Sequence, residues 1–277
     1  MLYIVGTPIG NLEDITLRAL RILEEVDLIA AEDTRQTSKL LNHYNINTKL
    51  TSYHANSSEE KTLYLLEQLK EGKQIALVSD GGMPLISDPG SELVSLIKKE
   101  NKKECVENKD EIEITTIPGP TALVSGLILS GLPSSKFVFE GFLPVKKSKT
   151  ILESLKNEHR QIILYEAPHR LLKTLNVLKE HLGERKISII REITKLYEEA
   201  LLFESIEFAI SHFEENKPRG EIVIVIEGKE KEIVFEENIK DHVVKLIEDG
   251  MTKNEAIKKV AKLRGLAKSE VYKEMIQ

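Results

Sequence analysis

One cysteine, Cys105, is all that the 277 residues contain, which excludes an intrachain disulfide framework and a cysteine-based zinc cluster and makes a reducing cytoplasm the natural setting. The histidines offer no metal site either, because no two stand at helical ligand spacing beside an acid. Excess positive charge is missing too. The 45 acidic against 39 basic side chains leave a formal charge of -6, which argues against wholesale wrapping of nucleic acid or anionic lipid but not against a local basic patch, so any polyanion must be met by part of the surface. The opening Met1-Leu2-Tyr3-Ile4-Val5-Gly6 has no basic flank ahead of its apolar run and breaks at Gly6 and Pro8, which reads against a targeting signal. The one uncharged run long enough to cross a bilayer, Ile114 to Ser135, carries Pro118, Gly119, Pro120, Gly126, Gly131 and Pro133; a strand, a tight turn and a buried helix are expected there. Nucleotide fingerprints fail as well: Gly6 and Gly10 form no Gly-x-Gly pair, and Gly72-Lys73 is followed by Gln74 without an upstream glycine.

What is present is an alternation of short apolar runs with longer amphipathic ones, the order of a parallel sheet crossed by helices. At roughly 150 residues per domain the length suggests about two domains. Strands are predicted at Leu2-Val5, Leu28-Ala31, Leu50-Tyr53, Ile75-Val78 and Ile114-Ile117. Between them, Asn11 should cap a helix carrying Ile15, Ala19, Ile22, Leu23 and Val26, Thr34 a helix through about Leu41, and Ser57 with Glu60 a helix that Gly72 closes. Glu92-Lys99 returns to helix, and the charged stretch from Glu100 to Glu113 reads as an exposed connection. A second α/β unit follows, with strands near Phe137-Glu140, Gln161-Tyr165, Ile187-Arg191, Tyr197-Phe203 and Glu221-Ile226. The last forty or so residues are helical, with Thr252 and Glu255 as a capping box and Gly265 as a break. The expected organisation is an N-terminal α/β domain over 1-117, a second over 118-233, and a C-terminal helical, locally basic region over 234-277.

Chemistry-bearing residues collect where strands end, which is where parallel sheets hold ligands. Gly6-Thr7-Pro8-Ile9-Gly10-Asn11 joins the first strand to its helix. The run Ser79-Asp80-Gly81-Gly82-Met83-Pro84-Leu85-Ile86-Ser87-Asp88-Pro89-Gly90 follows a buried strand, where glycines let a ligand approach the backbone and Asp80 can accept from ribose hydroxyls, attract a cation, or cap a turn. Glu32-Asp33-Thr34-Arg35 either caps its helix with an internal ion pair or takes part in catalysis. Thr121, after Pro118-Gly119-Pro120, either caps an apolar helix or binds a ligand through the same hydroxyl. Tyr165-Glu166-Ala167-Pro168-His169-Arg170 and Arg191-Glu192-Ile193-Thr194-Lys195 each place an Arg near a Glu, as an interior ion pair or as a site that holds phosphate and deprotonates a hydroxyl. From Met251 to Gln277 seven Lys or Arg stand against three Glu in two helices spaced like a helix-turn-helix, either a solvated face or a grip for RNA phosphates. Lys146, Lys147 and Lys149 form a smaller cluster of the same kind.

Taken in order over essentially the whole chain, Gly6 to Leu12, Ala31 to Arg35, Ser79 to Gly90, Pro118 to Ala122, Tyr165 to Arg170 and Arg191 to Lys195 resemble the ribosomal RNA small subunit methyltransferase I family, of the tetrapyrrole methylase-like, class III methyltransferases. The resemblance implies two α/β domains with S-adenosylmethionine in the cleft between them, transfer of its methyl group to a cytidine ribose 2'-hydroxyl of 16S ribosomal RNA near the decoding centre, and a cytoplasmic homodimer acting on that RNA or on the assembled 30S subunit. It places the cofactor against Ile9, Gly10, Asp80, Gly81, Met83, Thr121 and Ala122, with Tyr165, the Arg191 region, Gly220 and Glu221 from the second domain. Gly81 and Met83 stand where the family pattern has Ala and Thr. For the reaction, Glu166, Lys195 or Asp33 is the candidate base and Arg35, Arg170 or Arg191 the holder of flanking phosphates; Lys258, Lys259, Lys262, Arg264 and Lys268 are the candidate RNA contacts. Three other readings remain open on the residues: a methyltransferase for a tetrapyrrole or diphthamide precursor, a magnesium-dependent phosphoryl-transfer enzyme using Asp80, Asp88 and Asp33, and a non-enzymatic RNA-binding module.

Overall fold

The structure, a computed structural model, describes residues 1-54, 57-86, 91-107, 111-133, 136-230 and 237-276, with backbone alone for 103-107. Asp88 lies outside the described residues. The chain falls into two compact units, Met1–Lys229 and Glu230–Gln277.

In the first unit, β1 (Leu2–Val5), β2 (Leu28–Ala31), β3 (Leu50–Ser52), β4 (Ile75–Val78) and β5 (Ile114–Ile117) form a wholly parallel sheet in the order β3-β2-β4-β1-β5. The connection from β1 crosses to one side and that from β4 to the other, so the order switches direction between these two neighbours, where a crevice opens beyond their carboxyl ends. Both faces are covered, which is why the three central strands β2, β4 and β1 read as continuous apolar runs, while edge strands β3 and β5 carry Thr and Ser. Val5, Ala76 and Val78 pack with Ile22, Leu23, Ile29 and Leu41 on one side, while Leu2, Ile75 and Leu77 pack with Leu65, Leu69, Leu93 and Ile97 on the other.

The helices of this half depart from expectation in instructive ways. Asn11 caps only a 3-10 turn over Leu12–Asp14; Ile15 is extended, and Thr16 starts α1 (Leu17–Glu25) by accepting from the Ala19 N–H. The apolar spacing across the break is kept because Ile15 and α1 bury into the same core. Asp33 rather than Thr34 caps α2 (Thr34–His43), its carboxylate accepting from the Arg35 N–H. Ser58 rather than Ser57 caps α3 (Glu59–Lys70), and Ser57 turns its hydroxyl back to the His54 N–H. The charged stretch after Lys99 is no loop over its first part: α4 (Ser91–Glu107) runs through it. Lys and Glu are good helix formers, and the helix is anchored by buried Leu93 and Ile97, by the Lys70–Glu100 ion pair at 2.7 Å, and by the Asn101 amide bridging both backbone groups of Ile112.

The second sheet is mixed. β6 (Phe137–Phe142), β7 (Gln161–Glu166), β8 (Ile187–Arg191), β9 (Glu199–Phe203) and β10 (Ile222–Ile226) stand in the order β6-β7-β10-β8-β9, with only β6 and β7 parallel. One face is covered by α6 (Ser148–Leu155), α7 (Leu171–Leu182) and α8 (Ile206–Glu215). The other packs against α5 (Ala122–Leu129) through Leu123 and Leu127. Here Gly126 is needed for close approach, since a Cβ on it would lie 2.7 Å from Val223 Cγ1. The expected burial of this helix is half realised: its outer face leaves Val124, Ile128 and Leu129 exposed, Ile128 to 74%.

In the second unit, α9 (Ile239–Glu248), α10 (Lys253–Arg264) and α11 (Lys268–Glu274) enclose Val243, Ala256, Ile257, Val260, Ala261 and Val271. Thr252 and Glu255 make the predicted reciprocal cap, and Gly265 ends α10 in the left-handed conformation. Among the described residues no helix is long and apolar enough to cross a membrane.

Candidate active site in the cleft between the sheets

Three loops of the parallel sheet are fastened to one another before any ligand is considered. Thr7, after β1, and Gly82, after β4, form an isolated antiparallel bridge, and the Thr7 hydroxyl donates to the Ser79 carbonyl at 3.3 Å. The loops after β1 and β5 touch at Gly6 and Gly119, where a Cβ on Gly6 would stand 2.8 Å from Gly119 Cα. Only residues without side chains permit that contact.

Around these loops lies a cavity of about 890 Å³, walled on its far side by the second sheet. Ile9, Gly10, Asp80, Gly81 and Met83 line it from the first sheet. Thr121 and Ala122 line it from the start of α5, and Tyr165, Glu166, Lys195 and Glu221 from the second sheet. Asp33, Arg35, Arg170, Arg191 and Gly220 do not. Residues the sequence did not single out join the wall: Gln36 and Lys39 from one face of α2, and Phe142 at the end of β6. The helical spacing of the first pair was legible; nothing marked it as facing a ligand.

The three candidate bases are all engaged. The Asp33 carboxylate accepts the Arg35 guanidinium at 2.6 and 3.0 Å and the Arg35 N–H at 2.8 Å; these hydrogen bonds hold its carboxyl down at about 2. The Asp33 N–H in turn donates to Asp80 Oδ1 at 2.9 Å. Glu166 is buried, with one carboxylate oxygen accepting the Ala167 N–H at 2.8 Å and standing 3.6 Å from Arg170 Nε, and the other accepting the Thr174 hydroxyl. Lys195 Nζ lies 3.0 Å from both Glu192 and Glu221. Burial pulls the lysine down, but the hydrogen bonds to the two carboxylates outweigh it and raise its pKa above the ordinary value, while the same lysine lowers Glu192. Asp33, held at about 2, and Lys195, an ammonium kept between two carboxylates with its pKa raised, are poor proton acceptors near neutral pH, and the Glu166 carboxylate is engaged by Ala167 on one oxygen and by Thr174 on the other.

The candidate phosphate holders differ among themselves. Arg170 donates to the Leu143 carbonyl at 2.8 Å and Arg191 to Glu199 at 2.6 Å, so each is anchored to the fold; Arg35 lies on the surface, 87% exposed, and tied to Asp33. Gly220 acts through its backbone, since φ is 78° and a side chain there would collide with the Glu192 carboxylate. Glu192 and Thr194 themselves have φ of 52° and 68°. For β-branched Thr194 this is strained backbone, of the sort found around functional sites. The strained turn is held by Glu192 Oε1 accepting the Glu221 N–H at 3.1 Å and Glu198 accepting the Thr194 N–H at 2.6 Å. It also rests on Gly10, where a Cβ would stand 2.6 Å from Lys195 Cγ.

Thr121 discriminates between the two roles expected of it. Its hydroxyl makes no cap bond to α5 and is buried without a hydrogen-bond partner. An unpaired buried hydroxyl costs about 1–3 kcal/mol, a debt that a polar ligand atom in the cavity removes. Close-approach backbone at Gly81, where a Cβ would be 3.2 Å from the Pro8 carbonyl oxygen, completes a cradle suited to an amino-acid-bearing nucleoside such as S-adenosylmethionine. Among the described residues no group of three or more His, Cys, Asp or Glu is placed to hold a metal ion.

In the helical unit, Lys258, Lys259, Lys262 and Lys268 are exposed, on surfaces away from the buried Ala256, Ile257, Val260 and Ala261. Arg264 is different: its guanidinium donates to the Glu237 and Asn238 carbonyls at 2.5 and 3.2 Å and to His242 at 3.3 Å. It fastens α10 to the start of α9.

Comparison with known proteins gives the cavity a context. The profile of the tetrapyrrole (corrin/porphyrin) methylases matches residues 1–207. A ribosomal RNA small subunit methyltransferase I of Thermotoga maritima is 52% identical over 83% of this chain and 99% of its own length. That of a Synechocystis species is 46% identical over 98% of this chain and 96% of its own. A solved structure of uroporphyrin-III C-methyltransferase from Thermus thermophilus, itself complexed with S-adenosyl homocysteine, shares the fold with a TM-score of 0.57 at 18% identity, covering 82% of this chain and 97% of that one.

Proposed function

Because the chain belongs to the tetrapyrrole (corrin/porphyrin) methylase family and, within it, to the ribosomal RNA small subunit methyltransferases I, we propose that it methylates the ribose 2'-hydroxyl of a cytidine in 16S ribosomal RNA, using S-adenosylmethionine. The observation that carries the reading is the convergence of the loops after β1, β4 and β5 on one cavity with a buried, unpartnered Thr121 hydroxyl. Thr121, Asp80 and the backbone around Gly10, Gly81 and Met83 would hold the donor, which supplies an electrophilic methyl group on sulfur. Lys195, fixed by Glu192 and Glu221, reaches from the second sheet to the Gly10 loop and keeps the two walls at one spacing.

Catalysis on this reading is mainly positional. Holding a hydroxyl oxygen in line with an alkyl carbon is worth up to about 7–11 kcal/mol in well-oriented systems. The hydroxyl proton goes to water on this reading, since Asp33 is committed to Arg35, Glu166 to Thr174 and Ala167, and Lys195 to Glu192 and Glu221. Asp33 and Glu166 keep the loops that bear them in shape: the first through the Asp80 link, the second by bracing the turn after β7. Exposed lysines of α10 and α11 meet RNA phosphates.

The enzyme is further proposed to work as a homodimer in the cytoplasm. The apolar outer face of α5, with Ile128 foremost, supports self-association, and light scattering of the purified chain reads the stoichiometry. The reading as a whole is tested by tritium transfer from labelled S-adenosylmethionine to small-subunit particles lacking the modification, with the labelled nucleotide mapped. Label on a cytidine 2'-oxygen sustains it; donor binding without transfer to any ribosomal substrate overturns it.

A further inference from the structure

Phe142 is a large apolar ring in the cavity wall that remains 54% exposed. Its direction is the product of a bulge. The pairing of β6 with β7 runs in register through Phe139 opposite Ile163, then skips Glu140, so that Gly141 faces Leu164 and Phe142 faces Tyr165. Side chains alternate along a strand, so Phe139, Ile163 and Tyr165 share one face. Without the extra residue Gly141 would stand opposite Tyr165, and Phe142 would point to the other side of the sheet. Gly141 has φ of 63°, which a residue with a side chain adopts only under strain. The chain thus uses a glycine bulge to bring an aromatic ring to the cavity face.

Tyr165 braces that ring, with centroids 5.6 Å apart and planes at 63°, and Phe139 braces Tyr165 at 5.0 Å and 69°. The loop continuing from Phe142 carries exposed Val145, Lys146 and Lys147. An exposed ring on a rigid strand, braced from behind and followed by two cations, has the chemistry of a stacking platform for a nucleic-acid base with its flanking phosphates.

We propose that Phe142 stacks on the base of the target nucleotide after it has turned out of the RNA's own stack, with Lys146 and Lys147 meeting the adjacent phosphates. The inference rests on the ribose-methylating reading above and adds the residue that orients the acceptor. A ribose hydroxyl must come into a walled cavity to meet a donor there, so its nucleotide has to leave its neighbours; an aromatic ring at the entrance replaces the stacking that it gives up.

The test measures methylation of small-subunit particles lacking the modification, and donor affinity by calorimetry, for Phe142→Ala, Phe142→Leu and Phe142→Trp. Loss of one base–aromatic stack should raise KM for the particles about tenfold in the Ala and Leu variants. The Trp variant should stay near wild type, and all three should bind donor within about twofold of wild type, which also certifies their folding. An unchanged KM in Phe142→Ala overturns the proposal. So does full activity of Phe142→Leu, which would reduce the role to apolar bulk, and so does a parallel loss of donor affinity, which would move Phe142 into the donor site. Failure of the wild-type chain to methylate any particle would strike the functional reading instead, and is seen before any variant is made.

Discussion

Thr7 and Gly82, 75 residues apart in the chain, each donate an N–H to the other's carbonyl, at 3.0 and 2.9 Å, and so lock the loop after β1 to the loop after β4. Gly82 can do this only at a φ of 84° and with Ile9 close by, a Cβ there standing 3.2 Å from Ile9 Cγ2. The donor site is therefore partly a property of backbone, and glycine substitutions probe it directly.

Gly82→Ala should lose about 1–3 kcal/mol of stability through backbone strain and, by displacing Ile9, weaken donor binding several-fold in calorimetry. Gly72→Ala is the control. It imposes a similar φ of 85° with nothing within 4 Å, so it should lower the unfolding temperature and leave donor affinity alone.

Asp33 separates positioning from proton transfer through pH. Its folded-state value of about 2 lies below the ordinary 3.8, so its contribution to stability is present above the unfolded value and disappears as pH falls through the folded one. Asp33→Asn should flatten the acid side of a stability profile between about pH 4 and 2. Its turnover profile above about pH 5 should keep the wild-type shape; an inflection lost near neutrality would restore Asp33 as the base.

Lys195→Met leaves Glu192 and Glu221 facing each other unneutralised. We expect a loss of about 1 kcal/mol in denaturant unfolding, together with a reduced turnover number. The lysine's raised pKa means this contribution is complete at neutral pH and is lost only as pH rises through the folded value, above the ordinary 10.5. Destabilisation measured at about pH 7 and at about pH 9 should therefore agree.

Glu166→Gln replaces a buried acceptor of the Ala167 N–H and the Thr174 hydroxyl, and weakens the pairing with Arg170. Thermal unfolding should register about 2–3 kcal/mol. A variant of normal stability with abolished turnover would be the signature of a base and would reverse the assignment.

Lys258→Glu, Lys259→Glu and Lys262→Glu combined should weaken methylation of particles more than tenfold at about 0.1 M salt and flatten its salt dependence, by about 0.7 in logarithmic slope for each lost single-strand phosphate contact. Donor affinity should not change. Arg264→Ala should instead melt the helical unit early, because its guanidinium carries the carbonyls of Glu237 and Asn238.

Much of this architecture was legible before folding. The apolar runs of β1, β2 and β4 were legible because strands buried on both faces need no polar alternation, and the Thr252–Glu255 cap formed because both of its partners lie within one helical turn. Local rules also misplaced things by one residue: Ser57 and Ser58 are equally competent caps, and only the seating of Leu65, Leu66 and Leu69 in the core selects the second. The stretch after Lys99 misled for the opposite reason. Its composition is that of a solvated loop, yet Leu93 and Ile97 propagate a helix into it from the buried side.

The sequence by itself determined the strands, the loops that carry chemistry and the family, because each depends on spacing within a short segment. Tertiary structure alone decided which charges remain available. Glu166, Lys195, Arg170, Arg191 and Arg264 look like reactive groups in a linear reading, and each is engaged by a partner on another turn or strand. It also decided that Phe142 faces the cavity, since a one-residue bulge at Gly141 reverses the face of everything after it and leaves no trace in hydrophobic periodicity.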